Sequence, residues 1–429
     1  MSKCLGEIAY ITKLAGFEHT NYIQGNCTHT KATETDVPLF IGKTVRDGKI
    51  DTDFDWYIPK SISDGLERSK LTKKCLVLPY VGTLGDMAIF DGSYPAHLGS
   101  NIAKIELNPN CGYSEEFIYY FLKSPYGQSL LLRDMQGAVQ KNITMEAIRK
   151  VELPDISIEH QAKVVSVLKM LDDKIKNNNA INTELEAIAK TIYDYWFLQF
   201  EFPDENGKPY KSSGGKMIWN EELKREIPEK FKVEDILSMC KVVDCLHSQK
   251  PSYLFEDEKY YLLTLENLLK DGTIDLSEKF YISKKDYEEW TSRIEVREND
   301  FVVTNAGRAG DICKLPRNVK CAIGRNITAI RPTEIDPYYL RCFFKSNYLR
   351  EQILGNLDCG AFFMSFNVKS IKKLKILVPS QTVFDNFIEK VKPIILQIEE
   401  NIIQNQELAS LRDFLLPLLM NGQVTFKED

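Results

Sequence analysis

The chain repeats itself once, and this duplication constrains its fold more than any other feature of the sequence. The matched pairs are residues 47–51 (DGKID) with 271–275 (DGTID), 99–102 (GSNI) with 324–327 (GRNI), and 182–185 (NTEL) with 405–408 (NQEL). Their offsets are 224, 225 and 223 positions. A period this long excludes a solenoid, so each copy is predicted to be a domain with an appendage.

Within each copy, the residue pattern changes once. The first part has short β-prone runs between Gly and Pro residues. It also has one helix-like segment, near residues 114–133 in the first copy and 336–354 in the second. The second part nearly lacks Gly and steps its apolar residues by three and four, which is typical of a coiled coil. We therefore predict an α+β protein with two similar β-rich mixed globular domains in tandem. Each copy should end in a long helix that forms a coiled coil with the helix of the other copy.

Each predicted helix has an apolar seam. In the first helix the seam residues are Leu168, Leu171, Ile175, Asn178, Ile181, Leu185, Ile188, Ile192 and Tyr195, with a three-residue stammer at Asn178. In the second they are Phe384, Phe387, Val391, Ile394, Ile398, Ile402, Leu408, Leu411, Leu415 and Leu418, interrupted at Pro393 and Asn405. A helix of about 40 residues is about 60 Å long and needs a partner for its stripe. We expect this partner to be the helix of the other copy. The alternative is that each helix packs on its own globular domain.

Composition narrows the class of protein. The 429 residues suit two or three domains, and no apolar run approaches the length of a membrane span. The N-terminus has no signal-peptide pattern, so we expect a cytoplasmic protein with no membrane partner. Ten cysteines form no C-x-x-C pair and five histidines show no ligand spacing, which predicts reduced thiols and no metal. A net charge of −6 means that any DNA role needs locally basic faces or partner subunits.

The sequence contains no motif for a catalytic centre. It has neither the dinucleotide-binding pattern G-x-G-x-x-G nor the P-loop pattern, and no pair of carboxylates is singled out by its spacing. Residues 108–111 (NPNC) only faintly resemble the Asn-Pro-Pro-Tyr of amino methyltransferases, because the second proline and the stacking aromatic residue are missing. We expect a chain that is not itself an enzyme.

Three local phrases occur in the same order in both copies. They are the openings at residues 5–8 and 227–236, the glycine pairs at 82 and 85 and at 307 and 310, and the steps into the long helices at 153–154 and 378–379. A fourth phrase, at residues 196–217, connects the two copies. Together with the duplication, they make the chain similar, over essentially its whole length, to the specificity subunit of type I restriction–modification systems.

This resemblance implies a domain layout. Target-recognition domains are expected at residues 1–156 and 228–380, helices at 157–200 and 381–421, a linker at 201–227 and a tail at 422–429. In that family, a long antiparallel two-helix coiled coil holds two domains related by pseudo-twofold symmetry apart and acts as a ruler. Each domain reads one half of a split site in double-stranded DNA. The helices also dock two copies of the methylation subunit, which uses S-adenosylmethionine, so no cofactor is expected on this chain. Restriction subunits, when present, add translocation and cleavage.

Candidate DNA-contacting residues are of two kinds: glycines with the polar side chains beside them, and a second strip in each domain whose lysines suit phosphate contact. Arg suits guanine, and Asn or Gln suits adenine, while glycine allows the backbone to approach phosphate. The predicted set is Tyr80, Gly82, Thr83, Gly85, Ser100, Asn101, Gln140, Lys141 and Asn142 in the first domain, and Asn305, Gly307, Arg308, Gly310, Arg325, Asn326, Asn367 and Lys369 in the second. The alternatives are that the glycines only turn a hairpin and that the lysines form a solvated face. Because Asn101 and Asn326 recur in both copies, we expect them to be structural or phosphate-facing.

Two other functions are compatible with the same pattern. One is a scaffold that binds proteins and not DNA. The other is the specificity component of a defence system that only methylates.

Overall fold

A computed structural model describes residues 3–46, 48–133, 135, 141–247, 251–254, 259–359 and 364–420. The chain divides into two units, and each unit contains one globular domain and a part of both long helices. Unit 1 is Met1–Asn177 with Gln404–Asp429, and unit 2 is Asn178–Ile403. None of the helices within the described ranges is long and apolar enough to span a membrane.

Unit 1 begins with a globular domain of short strands and helices. Its strands are β1 (Lys3–Cys4), β2 (Ala9–Lys13), β3 (Val37–Phe40), β4 (Val45–Arg46), β5 (Lys49–Ile50), β6 (Tyr57–Ile58), β7 (Lys70–Leu71), β8 (Cys75–Pro79), β9 (Ala88–Phe90), β10 (Ala96–Leu98), β11 (Ile102–Leu107) and β12 (Glu152–Leu153). Its helices are α1 (Leu5–Ile8), α2 (Gly16–Glu18), α3 (Lys60–Gly65), α4 (Glu115–Lys123), α5 (Pro125–Leu132) and α6 (Met145–Arg149). The long helix α7 (Ile158–Tyr193) follows and ends in a π-helical turn, Asp194–Leu198.

Unit 2 repeats this order of elements. Its strands are β13 (Met217–Asn220), β14 (Arg225–Pro228), β15 (Lys232–Asp235), β16 (Cys240–Asp244), β17 (Tyr261–Leu263), β18 (Phe280–Tyr281), β19 (Val296–Arg297), β20 (Phe301–Thr304), β21 (Ile312–Lys314), β22 (Lys320–Ile323), β23 (Ile327–Pro332), β24 (Asp358–Cys359), β25 (Met364–Ser365) and β26 (Lys375–Val378). Its helices are α8 (Ile236–Met239), α9 (Lys284–Trp290), α10 (Pro337–Phe344), α11 (Asn347–Gly355) and α12 (Val368–Ile371). The last helix is α13 (Gln381–Met420).

The strand order is the same in the two units. Unit 1 has the sheets β6-β3-β10-β7 and β2-β11-β8-β9, and unit 2 has β18-β17-β22-β19 and β16-β23-β20-β21. In these four sheets only the pairs β3–β10 and β17–β22 are parallel. The predicted mixture of helix and sheet is confirmed, and the sequence repeat corresponds to a repeat of strand order.

The central strand β8 explains how each globular domain is held together. Leu76 and Leu78 enter a core shared with helix α4, whereas Cys75 and Val77 enter the core under the other sheet. Side chains alternate between the two faces of a strand, so a strand covered on both faces reads as a continuous apolar run. The run 75–79 (CLVLP) is buried throughout for this reason. Its counterpart β20 is buried throughout as well.

The single helix-like segment predicted in each domain is in fact two helices. In unit 1 the break is at Ser124, whose hydroxyl accepts a hydrogen bond from the Gly127 amide at 3.0 Å and caps α5. Pro125 occupies the first position of that helix, where its missing amide hydrogen costs nothing. Ser346 caps α11 in the same way, with the Leu349 amide as donor at 3.2 Å.

The segment 201–227, which the sequence predicts to be a linker, packs side chains into the core of unit 2. Phe202 is buried and stacks on Tyr210, with ring centroids 4.6 Å apart. Strands β13 and β14 pair as a hairpin, and β14 ends at Pro228, one residue beyond the segment. Apolar side chains in this stretch therefore contribute to the core of unit 2.

The long helices contact each other within each unit. In unit 1, the Arg412 guanidinium donates to the Asp172 carboxylate at 2.8 Å. In unit 2, the Asn401 amide donates to Asn182 at 2.8 Å, and the Trp196 and Phe387 ring centroids are 5.7 Å apart. In unit 2, higher numbers on α7 meet lower numbers on α13, so the local pairing is antiparallel.

The helices also contact the globular domains: two of the following contacts join a helix to the domain of its own copy, as in the alternative, and the Arg341–Glu186 pair joins α7 to the domain of the other copy. In unit 1, the Tyr120 hydroxyl of α4 donates to Asp172 at 2.7 Å. In unit 2, Arg341 of α10 pairs with Glu186, and Lys314 of β21 pairs with Glu399. Each helix segment therefore has two kinds of partner, the other helix and a globular domain.

Beyond Asn178, the predicted seam of α7 is wrong at three of its five positions, whereas Leu185 and Ile192 are half-buried and lie on the observed seam. Ile181, Ile188 and Tyr195 are between 40% and 47% exposed, and Leu411 of α13 is 45% exposed. Asn178 itself is buried, as is Ala189, and Asn182 makes the contact with Asn401. A step of four from residue 178 to residue 182 continues the alternation of three and four, so no stammer is needed.

Two isoleucine substitutions in unit 2 distinguish the observed seam from the predicted one. Ile398→Ala removes a buried side chain and should lower the free energy of unfolding by about 2–5 kcal/mol. Ile188→Ala removes a half-exposed side chain and should cost about 1 kcal/mol at most. Urea unfolding followed by circular dichroism measures both, and equal costs would contradict this seam.

Candidate nucleic-acid interface

Most of the predicted DNA-contacting residues of unit 1 lie in three segments that meet at one edge of the domain. We call them the glycine loop (residues 80–85), the asparagine turn (99–101) and the edge strip (141–143). The Tyr80 amide donates to the Asn101 carbonyl at 3.1 Å, and the Ile143 amide donates to the Tyr80 carbonyl at 2.9 Å. Val81 also forms a bridge with Asn142. Gln140 lies outside the described residues.

Unit 2 contains the same three-segment cluster, at residues 305–310, 324–326 and 365–367. The backbone amide of Asn305 donates to the backbone carbonyl of Asn326, and the backbone amide of Phe366 donates to the backbone carbonyl of Asn305, both at 2.8 Å. Ala306 bridges Ser365. The register therefore aligns Asn142 with Ser365, so Asn367 corresponds to Thr144.

The repeated asparagines have a backbone reason to recur. Asn101 has φ of 64° and Asn326 has φ of 63°, in the left-handed region that asparagine tolerates better than most residues. Both side chains are exposed. Their recurrence follows from the turn geometry.

The glycines fall into two kinds. All four have φ between 82° and 90°. A β-carbon on Gly85 would collide with the Gln128 side chain, and one on Gly310 would collide with Ile353, so these two positions pack against α5 and α11. A β-carbon on Gly82 or Gly307 would meet no atom within 4 Å. The open face of the loop is therefore at Gly82 and Gly307.

In unit 1, the polar residues of the cluster point mainly to solvent. Thr83, Ser100 and Lys141 are exposed, and Asn142 is half-buried. The Lys13 ammonium lies 4.3 Å from the centroid of the half-buried Tyr80 ring, and burial raises the pKa of the Tyr80 hydroxyl. This surface offers small hydrogen-bonding groups and lysine cations.

In unit 2, three predicted contact residues have partners inside the protein. The Asn305 side chain donates to the Phe366 carbonyl at 2.9 Å and accepts from Thr328 at 3.0 Å. The Arg308 guanidinium donates to the Leu265 carbonyl at 2.9 Å and to the Leu268 carbonyl. Asn367 caps α12, accepting from the Ser370 amide at 2.9 Å.

These internal bonds limit what the three side chains offer to a ligand. Arg308 keeps further donors, since a guanidinium has five N–H groups, and its side chain is one-third exposed. Arg325 and Lys369 are exposed. The exposed cations of this cluster are thus Arg325, Lys369 and a part of Arg308.

The sequence reading missed a fourth segment beside the cluster. In unit 1 it is the 3-10 turn Gly42–Thr44, in which the Gly42 amide donates to the Ser100 carbonyl at 3.1 Å. In unit 2 it is Leu265–Asn267, which receives the Arg308 guanidinium. The only sequence signal was a polar residue at position 44 or 267 that caps the turn, and this signal is weak.

One group of side chains in unit 2 has metal-ligand chemistry. Asp244, Cys245 and His247 bring potential ligand atoms within 4.8 Å of one another. The Cys245 side chain is buried, which raises the pKa of its thiol. The expectation of no metal stays a prediction.

Known proteins resemble the chain in sequence. A family model described as the type I restriction modification DNA specificity domain matches residues 44–187. The MjaIX specificity subunit of a type I restriction enzyme from Methanocaldococcus jannaschii is 24% identical over 325 residues, which cover 75% of this chain and 71% of that protein. The putative MjaX specificity subunit of the same organism is 20% identical over 400 residues, covering 91% and 88%.

One solved structure supports the fold. The crystal structure of the S subunit of a type I restriction–modification system from M. genitalium has a TM-score of 0.51 and 15% identity. The match covers 98% of this chain and 95% of that one. The sequence matches support a type I restriction–modification specificity subunit, and the solved S subunit shares the fold of this chain.

Proposed function

We propose that the chain selects the DNA sequence for a type I restriction–modification enzyme, and that each globular domain reads one half of a bipartite site. The observation that carries the proposal is the repeated three-segment cluster. The same backbone contacts, from Tyr80 to Asn101 and from Asn305 to Asn326, support different exposed side chains in the two units. Such a repeat suits two readers with related geometry and different half-sites.

The differences between the clusters are of the kind that discriminates bases. Thr83 and Ser100 of unit 1 correspond to Arg308 and Arg325 of unit 2. Arginine donates in a fork that matches the O6 and N7 atoms of guanine, whereas hydroxyl groups make single and less selective bonds. The two half-sites of the target should therefore differ in sequence.

The long helices are proposed to form the antiparallel coiled coil that fixes the spacing of the half-sites and docks two methylation subunits. Support comes from the antiparallel contacts in unit 2 and the Arg412–Asp172 contact in unit 1. Exposed Ile188 and Phe414 leave apolar surface on α7 and α13 for partner chains.

We further propose that the chain has no catalytic centre and binds no cofactor. Methyl transfer from S-adenosylmethionine then belongs to the methylation subunits, in the cytoplasm, and restriction subunits join where the system encodes them. The net charge of −6 agrees with this division of labour, because partner subunits can supply much of the grip on phosphate.

Mapping methylated adenines across the genome, with and without the gene, tests the proposed function. We expect a split motif with unlike halves that disappears on deletion and returns on complementation. An unchanged map would point instead to a scaffold that binds only proteins.

Arg308→Ala should relax one base position of the second half-site and weaken binding by the assembled complex about 5- to 150-fold. Arg317→Ala is a matched control, since Arg317 has similar exposure and also lies beside a carboxylate, at 3.7 Å from Glu399. It follows β21, whose end lies at the opposite edge of the sheet from the cluster. Binding is measured by fluorescence anisotropy on site variants, and equal effects of the two substitutions would exclude a reading role for Arg308.

Lys369→Ala should lower the salt dependence of DNA binding by the assembled complex. One lost phosphate contact reduces the slope of log K against log salt by about 0.9. Lys284→Ala on α9 is the control, because this lysine is exposed and follows β18, which ends at the other edge of its sheet. An unchanged slope for Lys369→Ala would remove this residue from the phosphate contacts.

A further inference from the structure

The 3-10 turn beside each cluster is built in the same way in the two units. In unit 1, the Thr44 hydroxyl accepts from the Ile41 amide at 2.9 Å. In unit 2, the Asn267 side chain accepts from the Thr264 amide, also at 2.9 Å. Thr44 and Asn267 are buried caps. Residue 43 of unit 1 therefore occupies the same place as residue 266 of unit 2.

The turn lies at the edge of the domain that carries the cluster. Strands β3 and β10 are parallel, so their carboxyl ends lie at the same edge, where the turn and the asparagine turn follow. A β-carbon on Gly42 would lie 3.4 Å from the Asn101 β-carbon and 3.7 Å from the Val81 carbonyl oxygen. The turn thus contacts both the asparagine turn and the glycine loop.

Unit 2 repeats this contact with a different set of atoms. The Gly324 amide donates to the Leu263 carbonyl at 2.8 Å, which joins β17 to the asparagine turn. The Arg308 guanidinium of the glycine loop donates to the Leu265 carbonyl at 2.9 Å. The fourth segment therefore borders the cluster in each unit.

The central residue of the turn is exposed in both units, and its charge is opposite. Lys43 stands in unit 1, with its side chain 64% exposed, and Glu266 stands in unit 2. Lys43 forms an ion pair with Asp55 at 2.6 Å. An exposed pair of this kind contributes little to stability, so the ammonium can be released to another partner.

We infer that residues 43 and 266 are specificity-determining positions, at which the first domain selects guanine and the second selects cytosine. The Lys43 ammonium would donate to the O6 and N7 acceptors of guanine, and the Glu266 carboxylate would accept from the N4 amino group of cytosine. This inference rests on the proposed function and adds to it the base class read at one position in each half-site.

The carboxylate is the more informative of the two groups. A lysine at a DNA-facing edge can serve phosphate without reading sequence. A carboxylate is repelled by phosphate, and in the major groove it finds donors only on cytosine N4 and adenine N6, of which cytosine is its usual partner. At an edge that faces DNA, as proposed, Glu266 therefore suits base contact and not phosphate contact.

Exchanging the charges tests the inference in the complex assembled with methylation subunits. Lys43→Glu should change a preferred guanine to cytosine at one position of one half-site, and Glu266→Lys should change cytosine to guanine in the other. The preference at each position should shift by about 5- to 150-fold. Sequencing of methylated adenines after exposure of a random-site DNA library to each complex measures both shifts.

Two charge exchanges elsewhere in the same domains serve as controls. Lys60→Glu and Glu288→Lys alter exposed residues of salt bridges, on α3 and α9. Both helices follow strands that run antiparallel to β3 and β17, so they begin at the opposite edge of their sheets. Neither control should alter the motif.

The outcomes separate the inference from the proposed function. A split motif that stays unchanged in both exchanges overturns the inference and leaves the proposed function intact. An equal loss of binding to every site sequence, with a changed salt slope, does the same, because it marks a phosphate contact. If an exchange abolishes methylation, Lys43→Gln and Glu266→Gln decide: relaxed choice at one position supports the inference, and an unchanged motif overturns it. A wild-type complex that methylates without a split motif contradicts the proposed function itself.

Discussion

In each unit, the candidate interface depends on one backbone hydrogen bond, the one accepted by the carbonyl of the left-handed asparagine. Asn101 stands between β10 of one sheet and β11 of the other, and its carbonyl receives the Tyr80 amide at 3.1 Å. Tyr80 in turn binds the edge strip through its own carbonyl. The first bond therefore joins the glycine loop to the asparagine turn between the two sheets, and the second adds the edge strip; the bonds from Asn305 to Asn326 and from Phe366 to Asn305 do the same in unit 2. Few residues accept the left-handed conformation cheaply, which explains why asparagine recurs.

The long helices show how far periodicity can be trusted. Apolar spacing predicted two helices of the right extent, and α7 and α13 are present. It misplaced the seam after Asn178, because a search for large apolar residues favours Ile181 and Ile188 over Asn182 and Ala189. In the structure, Ala189 is buried and Asn182 is half-buried and bonded to Asn401 instead. Asparagine amides that pair across helices cost some stability but favour one register, and this preference is invisible in a hydrophobic pattern.

The candidate site was predictable where backbone geometry required a particular residue type. Paired glycines and asparagines at matching offsets were enough to indicate the glycine loop and the asparagine turn. Side-chain direction was not predictable: Arg308 and Asn367 suit base contact by residue type, yet both spend hydrogen bonds on their own domain. The 3-10 turn escaped notice because Lys43 and Glu266 differ, so a search for repeated residues passes over the position.

The buried caps of that turn have an evolutionary consequence. Main-chain bonds and the side chains of Thr44 and Asn267 maintain the shape of the turn. The residue before each cap, Lys43 or Glu266, is exposed and contributes little to folding. Mutations at such a position escape the selection against misfolding that restrains most of the chain. If residues 43 and 266 read bases as we infer, a lineage could acquire a new recognition sequence through single substitutions, and duplication would let each half of that sequence change independently.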